Sequence, residues 1–197
     1  MYAKTFKNQT ELILASASPR RQELLSLLGI HFFVQPSTIS EPEPAPNQSP
    51  QTYALNLSQQ KAADVAQKFP QDAVLGADTI VVFNDKILGK PRDHKQALDY
   101  LLLLTGKTHT VITAVTLIVK GQTYSFAVQT QVNMANFPLE ILKKYAASSE
   151  PLDKAGAYAI QGEGSFLIKS ISGSYTNVIG LPLTETTNLL LEKKVIV

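Results

Sequence analysis

Strand-like and helix-like segments alternate along this sequence, and that order predicts an α/β protein. Short apolar runs have the length and composition of buried strands, while longer segments carry apolar residues at intervals of three to four positions. Capping residues, glycines and prolines stand where these segments should begin and end. A chain of 197 residues, of which 44% are hydrophobic, suits one large domain or two small lobes with an ample core.

In the first half of the chain, capping and turn residues separate the elements. Ser18 and Pro19 fit the N-cap and the first position of a helix, and Gly29 fits its end. Five prolines between positions 36 and 51 exclude a helix or a central strand, so this stretch is predicted to be a mobile loop. The predicted elements are a strand over Glu11–Ala15, the helix from Pro19, a strand over His31–Gln35, the loop Pro36–Gln51 and a helix over Thr52–Phe69.

The stretch Leu75–Pro91 is predicted to be a buried strand that carries an acid, followed by a hairpin. Its apolar residues are interrupted at Asp78, and burying an ionised carboxylate costs several kcal/mol unless a cation or hydrogen-bond donors compensate it. Asn84 and Asp85 suit the tight turn. The short return strand could bring Lys90 close to Asp78, which indicates a site. Alternatively, Asp78 only caps a neighbouring loop and Lys90 is a solvated surface lysine.

In the second half, Asp93 is predicted to cap a helix that Gly106 closes. The segment Glu150–Gly162 is rich in glycine and in paired opposite charges, which is typical of a functional loop. The alternative is a tight turn that an ion pair between Asp153 and Lys154 holds together. The remaining predicted elements are strands over Thr108–Val119, Thr123–Met134 and Ser165–Ser172 and helices over Pro138–Ala147 and Thr184–Lys193.

Composition and charge exclude several classes of protein. A formal net charge of +2 without long basic runs argues against a protein around which nucleic acid wraps, and it allows a small anionic ligand. The absence of cysteine excludes disulfides and thiolate metal sites and fits a reducing cytoplasm. No apolar run approaches the roughly 20 residues of a membrane span, and the N-terminus lacks a secretory signal, so no membrane partner is expected. The three histidines stand far apart without ligand spacing.

Four polar residues, Ser16, Ser18, Arg20 and Arg21, surround the predicted start of the first helix. Cations in a first turn oppose the helix dipole by roughly 0.3–1 kcal/mol each, so local stability does not explain the two arginines. A bound anion would reverse that sign, because helix-start amides, hydroxyls and guanidiniums all bind phosphate oxygens. The agreement of these features favours a phosphate site. The alternative is that both arginines reach carboxylates elsewhere on the surface.

Acids and cations occur in a combination that suits a polyphosphate ligand. The acids are Asp78 and Glu41, which the proline-rich loop would carry as a lid over a cleft. They could bind Mg²⁺ or align a water molecule, while cations would neutralise charge growing on a leaving phosphate. Alternatively, Lys61 is only a solvated charge on the surface of a helix. The candidate cations are Arg20, Arg21, Lys61, Lys90 and Lys154.

Six motifs, which follow one another in order over nearly the whole chain, resemble those of the Maf family of nucleoside triphosphate pyrophosphatases. They are SASPRR at 16–21, GADTIV at 76–81, GKP at 89–91, TGKTH at 105–109, EPLDKAGAY at 150–158 and VIGLP at 178–182. Because the order is preserved, the match is more specific than any single motif.

The resemblance implies an α/β fold of the inosine-triphosphatase type, with a long mixed β-sheet flanked by helices and a central cleft between two lobes. One Maf-type domain would span residues 1–197. The implied activity is hydrolysis of a nucleoside triphosphate to the monophosphate and pyrophosphate, dependent on Mg²⁺ or Mn²⁺. A cytoplasmic homodimer is also implied. The segment ending Ile160-Gln161-Gly162 is similar to the family branch that acts on dTTP and UTP.

The resemblance also assigns catalytic residues. Asp78 corresponds to the catalytic carboxylate of the family, described as a proton acceptor, while Glu41, Lys61 and Lys90 correspond to the acid and the lysines that line the cleft. Glu41 and Asp78 are therefore the predicted metal ligands. This chain has Ser40 where the family usually has a further acid before Glu41, which puts metal affinity or loop position in question.

The family resemblance also assigns the choice of substrate to Arg21, Thr79 and Gln161. An amide such as Gln161 can donate to one ring oxygen of uracil or thymine and accept from N3–H, as the complementary base does in a base pair. The full set of predicted substrate-binding residues is Ser16, Ser18, Arg20, Arg21, Thr79, Lys154 and Gln161.

Two alternatives to a dTTP/UTP pyrophosphatase stay open at this point. Because family members are also named for effects on septum formation, the chain could be a nucleotide-binding regulator of cell division with incidental hydrolysis. Asp78 favours the enzyme, since a pure binder gains little from a desolvated acid beside a phosphate. The other alternative is an enzyme that removes modified pyrimidine triphosphates.

Overall fold

The computed structural model describes residues 5–197 and has the predicted α/β class. Within that range the strands are β1 (Leu12–Leu14), β2 (Phe33–Val34), β3 (Ala73–Phe83), β4 (Lys86–Leu88), β5 (Thr108–Val119), β6 (Gln122–Met134) and β7 (Ile168–Ser172). The α-helices are α1 (Pro19–Ser26), α2 (Pro50–Ala66), α3 (His94–Leu104), α4 (Leu139–Ala146), α5 (Tyr175–Ile179) and α6 (Leu183–Glu192). Short 3₁₀ turns lie at Glu150–Asp153, Ala155–Ala157 and Glu163–Leu167.

The strands form one mixed sheet in the order β2-β1-β3-β5-β6-β7, with β4 paired to β3. Strand β1 runs parallel to both neighbours, so that Leu14 lies opposite Val34 on one side and Leu75 on the other. The pairs β3–β4 and β6–β7 are antiparallel. The prediction of a long mixed sheet flanked by helices is confirmed.

The chain divides into two compact units. The first contains the residues up to Asp78 together with Thr113–Val128 and Gly180–Val197, and the second contains Thr79–Ile112 and Gln129–Ile179. Apolar residues of β1, α2 and β3 form a core cluster in the first unit. A larger cluster in the second unit joins residues of α3, α4, β5 and β6. No helix among residues 5–197 is long and apolar enough to cross a membrane.

Most predicted elements have their expected boundaries, because local signals set them. In the β3–β4 hairpin, Asn84 and Asp85 both adopt positive φ angles of 48° and 60°, as a tight turn of this kind requires. The Asp93 carboxylate accepts a hydrogen bond of 2.7 Å from the amide of Gln96 and caps α3 as predicted.

Several boundaries differ from the predictions. Helix α2 begins at Pro50 and not after Gln51, because proline at the first helical position lacks only an amide hydrogen that would have no intrahelical partner, and it ends at Ala66 and not at Phe69. The segment Glu163–Leu167 is a 3₁₀ turn, so β7 begins at Ile168 and not at Ser165. The short helix α5 was not predicted.

His109 lies in the core of the second unit with 3% of its surface exposed, and its Nε2 is 2.6 Å from the Tyr158 hydroxyl. Burial lowers the pKa of His109 from 6.5 to about 4. Between these values the unfolded chain binds a proton that the folded chain does not bind, so the free energy of unfolding falls as the pH is lowered.

This shift predicts a measurable pH dependence of stability. Between pH 7 and pH 5, His109 should account for a loss of about 2 kcal/mol in the free energy of unfolding. The variant His109→Gln lacks a titrating group and should lose correspondingly less over the same interval. Urea denaturation of both proteins at the two pH values measures the difference. An equal loss of unfolding free energy in the two proteins would mean that His109 does not cause this pH dependence.

Candidate active site

A buried carboxylate, a lysine and a second carboxylate meet in the first unit, at the middle of β3. The Lys61 Nζ lies 2.6 Å from Asp78 Oδ1 and 2.7 Å from Glu41 Oε1. Asp78 is 5% exposed and the Lys61 side chain 14%, whereas about half of the Glu41 side chain is exposed. The cation that compensates the buried acid is therefore Lys61, which is not a solvated helix charge.

Gly76 allows α2 to lie close enough to β3 for this contact. A Cβ atom at this position would lie 2.6 Å from the carbonyl oxygen of Ser58 and 2.8 Å from the amide nitrogen of Ala62. Both are backbone atoms of α2, so any larger residue would push the helix away at a cost of about 1–3 kcal/mol. The glycine of the GADTIV motif thus sets the separation at which Lys61, next to Ala62, reaches Asp78.

The proline-rich loop is bonded to α2 on both sides of Glu41. The amide of Thr38 donates to the Asp64 carboxylate at 2.8 Å, and this bond lowers the pKa of Asp64. The hydroxyl of Tyr53 donates to the carbonyl oxygen of Pro42 at 2.9 Å. These contacts, together with the ion pair to Lys61, hold Glu41 over the helix.

Tyr53 was missed by the sequence analysis. It lies two helical turns before Lys61, on the same face of α2, and this eight-residue spacing was the only sequence signal. Burial raises the pKa of the Tyr53 hydroxyl, and the negative charges of Asp78 and Glu41 act in the same direction. Tyr53 is therefore a protonated donor at neutral pH.

Arg21 joins three segments of the first unit. Its Nε donates to the carbonyl oxygen of Gly180 at 2.8 Å, and its Nη1 donates to the carbonyl oxygen of Ala77 at 2.9 Å and to Ser16 Oγ at 3.2 Å. Burial lowers the pKa of the guanidinium, and the charge of Asp78 opposes that effect, but an arginine stays protonated in proteins. Because Ala77 precedes Asp78, Arg21 helps to fix the part of β3 that carries Asp78.

The residues of the predicted anion site lie around the start of α1. Ser18 is the N-cap, and its amide donates to the buried Ser16 hydroxyl at 3.2 Å. Arg20 and Arg21 follow in the first turn, which contains no acidic residue. Ser16 also accepts from Arg21, so hydrogen bonds link Ser16, Ser18 and Arg21 in the first unit. Phosphate binding at this helix start stays a prediction.

The other predicted site residues belong to the second unit. The amide of Gly156 donates to the carbonyl oxygen of Gly89 at 3.1 Å, which places the end of β4, just before Lys90, beside the loop that carries Lys154. The Lys154 ammonium donates to the Asp153 carboxylate, as in the tight-turn interpretation. Gln161 and Lys90 are exposed, and Thr79 is partly exposed on β3.

The two predicted metal ligands contact the same ammonium group. Glu41 and Asp78 share Lys61, and each contacts the ammonium through one carboxylate oxygen. Among residues 5–197 no group of three or more His, Cys, Asp or Glu side chains could form a metal site. Carboxylate oxygens are ligands of the type that Mg²⁺ prefers, and Mg²⁺ is commonly held by only one or two carboxylates plus substrate phosphates and water. A metal ion at Glu41 and Asp78 stays a prediction.

Comparison with known proteins gives a consistent result. A family model described as "Maf-like protein" matches residues 11–193. A dTTP/UTP pyrophosphatase of Salmonella typhimurium is 48% identical over 182 residues, which cover 92% of this chain and 92% of that protein. Proteins of the same name from Bacillus cereus and Bacillus pumilus are 45% and 44% identical, over 92% and 91% of this chain and 89% and 95% of their own lengths.

Proposed function

We propose that this chain, which belongs to the Maf family, hydrolyses dTTP and UTP to the nucleoside monophosphate and pyrophosphate. The observation that carries the proposal is the buried Asp78 carboxylate, which is held 2.6 Å from the Lys61 ammonium beside Glu41. The names of the similar proteins from Salmonella and Bacillus support the choice of nucleotides.

In the proposed reaction, a water molecule attacks the α-phosphorus and Asp78 accepts its proton. The bond between the α-phosphorus and the bridging oxygen breaks, and pyrophosphate leaves with the bonding electron pair. Lys61 orients Asp78 and compensates its charge, so that a carboxylate with 5% exposure can remain ionised beside a phosphate. Charge on the leaving pyrophosphate is neutralised by cations, for which the candidates in the first unit are Arg20 and Arg21. Lys90 and Lys154, in the second unit, are candidates from the sequence alone.

Glu41 and Asp78 are the residues that would hold a divalent cation, Mg²⁺ or Mn²⁺. When bound, the ion would neutralise phosphate charge and polarise the attacking water. Glu41 reaches this position because Tyr53 and Asp64 hold the proline-rich loop against α2. Thr79 and Gln161 are the proposed contacts to the base.

The first test is release of pyrophosphate from dTTP, UTP, CTP, ATP, GTP, ITP and 7-methyl-GTP in the presence of Mg²⁺ or Mn²⁺. We expect turnover of dTTP and UTP well above that of the other nucleotides. Tight binding of a nucleotide without release of pyrophosphate from any of them would favour the nucleotide-binding regulator. Faster turnover of a modified pyrimidine triphosphate than of dTTP would favour an enzyme that removes modified pyrimidine triphosphates.

The family resemblance also supports a cytoplasmic homodimer as the working form. Light scattering of the purified chain measures the mass directly, and a value close to 21.5 kDa would contradict the dimer.

A further inference from the structure

The Glu150 carboxylate accepts three hydrogen bonds in the second unit. Its Oε2 accepts from the Tyr145 hydroxyl at 2.7 Å and from the amide of Gly164 at 2.7 Å, and its Oε1 accepts from the amide of Glu163 at 3.1 Å. Burial raises the pKa of Tyr145, so the phenol is a donor at neutral pH. Hydrogen bonds to an ionised acceptor are about twice as strong as neutral ones, so Glu150 binds the backbone at 163–164 firmly.

Two glycines are required for the carboxylate and the phenol to come this close. Gly162 has φ 89°, a region that favours glycine, and a Cβ atom there would overlap Oε1 of Glu150. A Cβ atom on the buried Gly164 would likewise overlap the Tyr145 hydroxyl oxygen. The backbone between positions 162 and 164 is therefore shaped around these two side chains, at the start of the 3₁₀ turn Glu163–Leu167.

Gln161 lies directly before this clamp, which we define as Tyr145, Glu150, Gly162 and Gly164. On its other side, Tyr158 is buried and is hydrogen-bonded to His109. Gln161 itself is exposed, so its backbone is anchored within three residues on each side while its side chain remains accessible. Binding through such a segment costs little backbone conformational entropy, because the backbone is ordered in advance.

We propose that Glu150 is a specificity-determining positioning residue, which fixes the backbone beside Gln161 so that the Gln161 amide can recognise the pyrimidine ring. This inference rests on the proposed function, because it assumes that Gln161 contacts the base. Glu150 acts through the backbone of 162–164 and touches no substrate. Its removal should therefore weaken discrimination between bases and leave the phosphate chemistry at Asp78 largely intact.

The test compares UTP with CTP, which differ at the ring positions that an amide can read. The quantity measured is the ratio of kcat/KM for UTP to that for CTP. In Glu150→Ala this ratio should fall roughly 5–20-fold, mainly through a higher KM for UTP, because one or two hydrogen bonds to the base are lost. Glu150→Gln keeps one acceptor oxygen and should give an intermediate ratio. Glu140→Gln, a change of an exposed acid on α4, is the matched control and should leave the ratio unchanged.

The decisive comparison repeats Glu150→Ala in a Gln161→Ala background. If Glu150 acts through Gln161, the second substitution should not change the ratio further, since the contact is already gone. Gly162→Ala, which disturbs the same clamp from the backbone side, should reproduce the lowered ratio if Glu150→Ala fails to fold.

The inference would be overturned if the UTP-to-CTP ratio were unchanged in Glu150→Ala and Gly162→Ala. It would also be overturned if Glu150→Ala lowered that ratio equally in the Gln161 and the Gln161→Ala backgrounds. Either result would leave Glu150 with a structural role only. Failure of the proposed function is a separate result, because it would appear as absence of UTP and dTTP hydrolysis in the unmodified protein.

Discussion

Replacement of Asp78 by asparagine is expected to reduce the rate of pyrophosphate release from dTTP by roughly 10²–10⁴-fold. Asparagine has the same shape and can still accept a hydrogen bond from Lys61, but its amide cannot take a proton from water. Lys61 keeps Glu41 as an ionic partner 2.7 Å away, so the ammonium is not left without compensation. The fold and the affinity for nucleotide should therefore change little.

Single-turnover kinetics measures the chemical step, and calorimetric titration with dTTP measures binding. Asp99→Asn is the matched control, since Asp99 is an exposed acid on α3 that pairs with Lys95 at the surface. It should leave both quantities unchanged. Turnover of dTTP by Asp78→Asn at the unmodified rate would show that Asp78 is not the base.

Replacement of Lys61 by methionine is expected to reduce both activity and stability. Methionine retains most of the apolar stem but removes the charge, so the buried Asp78 carboxylate would lose the ammonium that lies 2.6 Å away. Removal of one partner from a buried ion pair costs about 3–5 kcal/mol. We expect about 3 kcal/mol here, because Glu41 is half exposed to water. The rate should fall at least 10²-fold, since orientation and charge compensation of the base are lost together.

Urea denaturation and steady-state kinetics measure the two losses. Lys61→Arg should recover part of the stability, because it keeps the charge, whereas Lys68→Met at an exposed position should have no effect on either quantity. In the double variant Lys61→Met with Asp78→Asn, the stability loss should shrink, because no ionised acid remains at position 78. A loss of the same size in the double variant would mean that Lys61 contributes through packing and not through charge.

The local signals in the sequence determined most of the fold. The hairpin at Asn84–Asp85 and the cap at Asp93 depend on residues a few positions apart, so their effect can be read without the rest of the chain. The expectation that Asp78 needs a cation also followed from the sequence, because the cost of a buried carboxylate does not depend on which residue compensates it. The family followed from the order of the motifs.

Tertiary structure decided which residues meet. Lys61 is 17 positions from Asp78, and as a pattern it was indistinguishable from a solvated helix charge. Only the close packing of α2 on β3 at Gly76 brings the two together. Tyr53 was overlooked for a similar reason, since its hydrogen-bond partner Pro42 lies in the proline-rich loop. Glu150 was noticed only as part of a charged, glycine-rich loop, and its contact to the backbone of Gly164 needed the fold. Sequence determines local conformation through short-range sterics and caps, whereas the identity of a long-range partner depends on the separation of packed backbones, which no single segment contains.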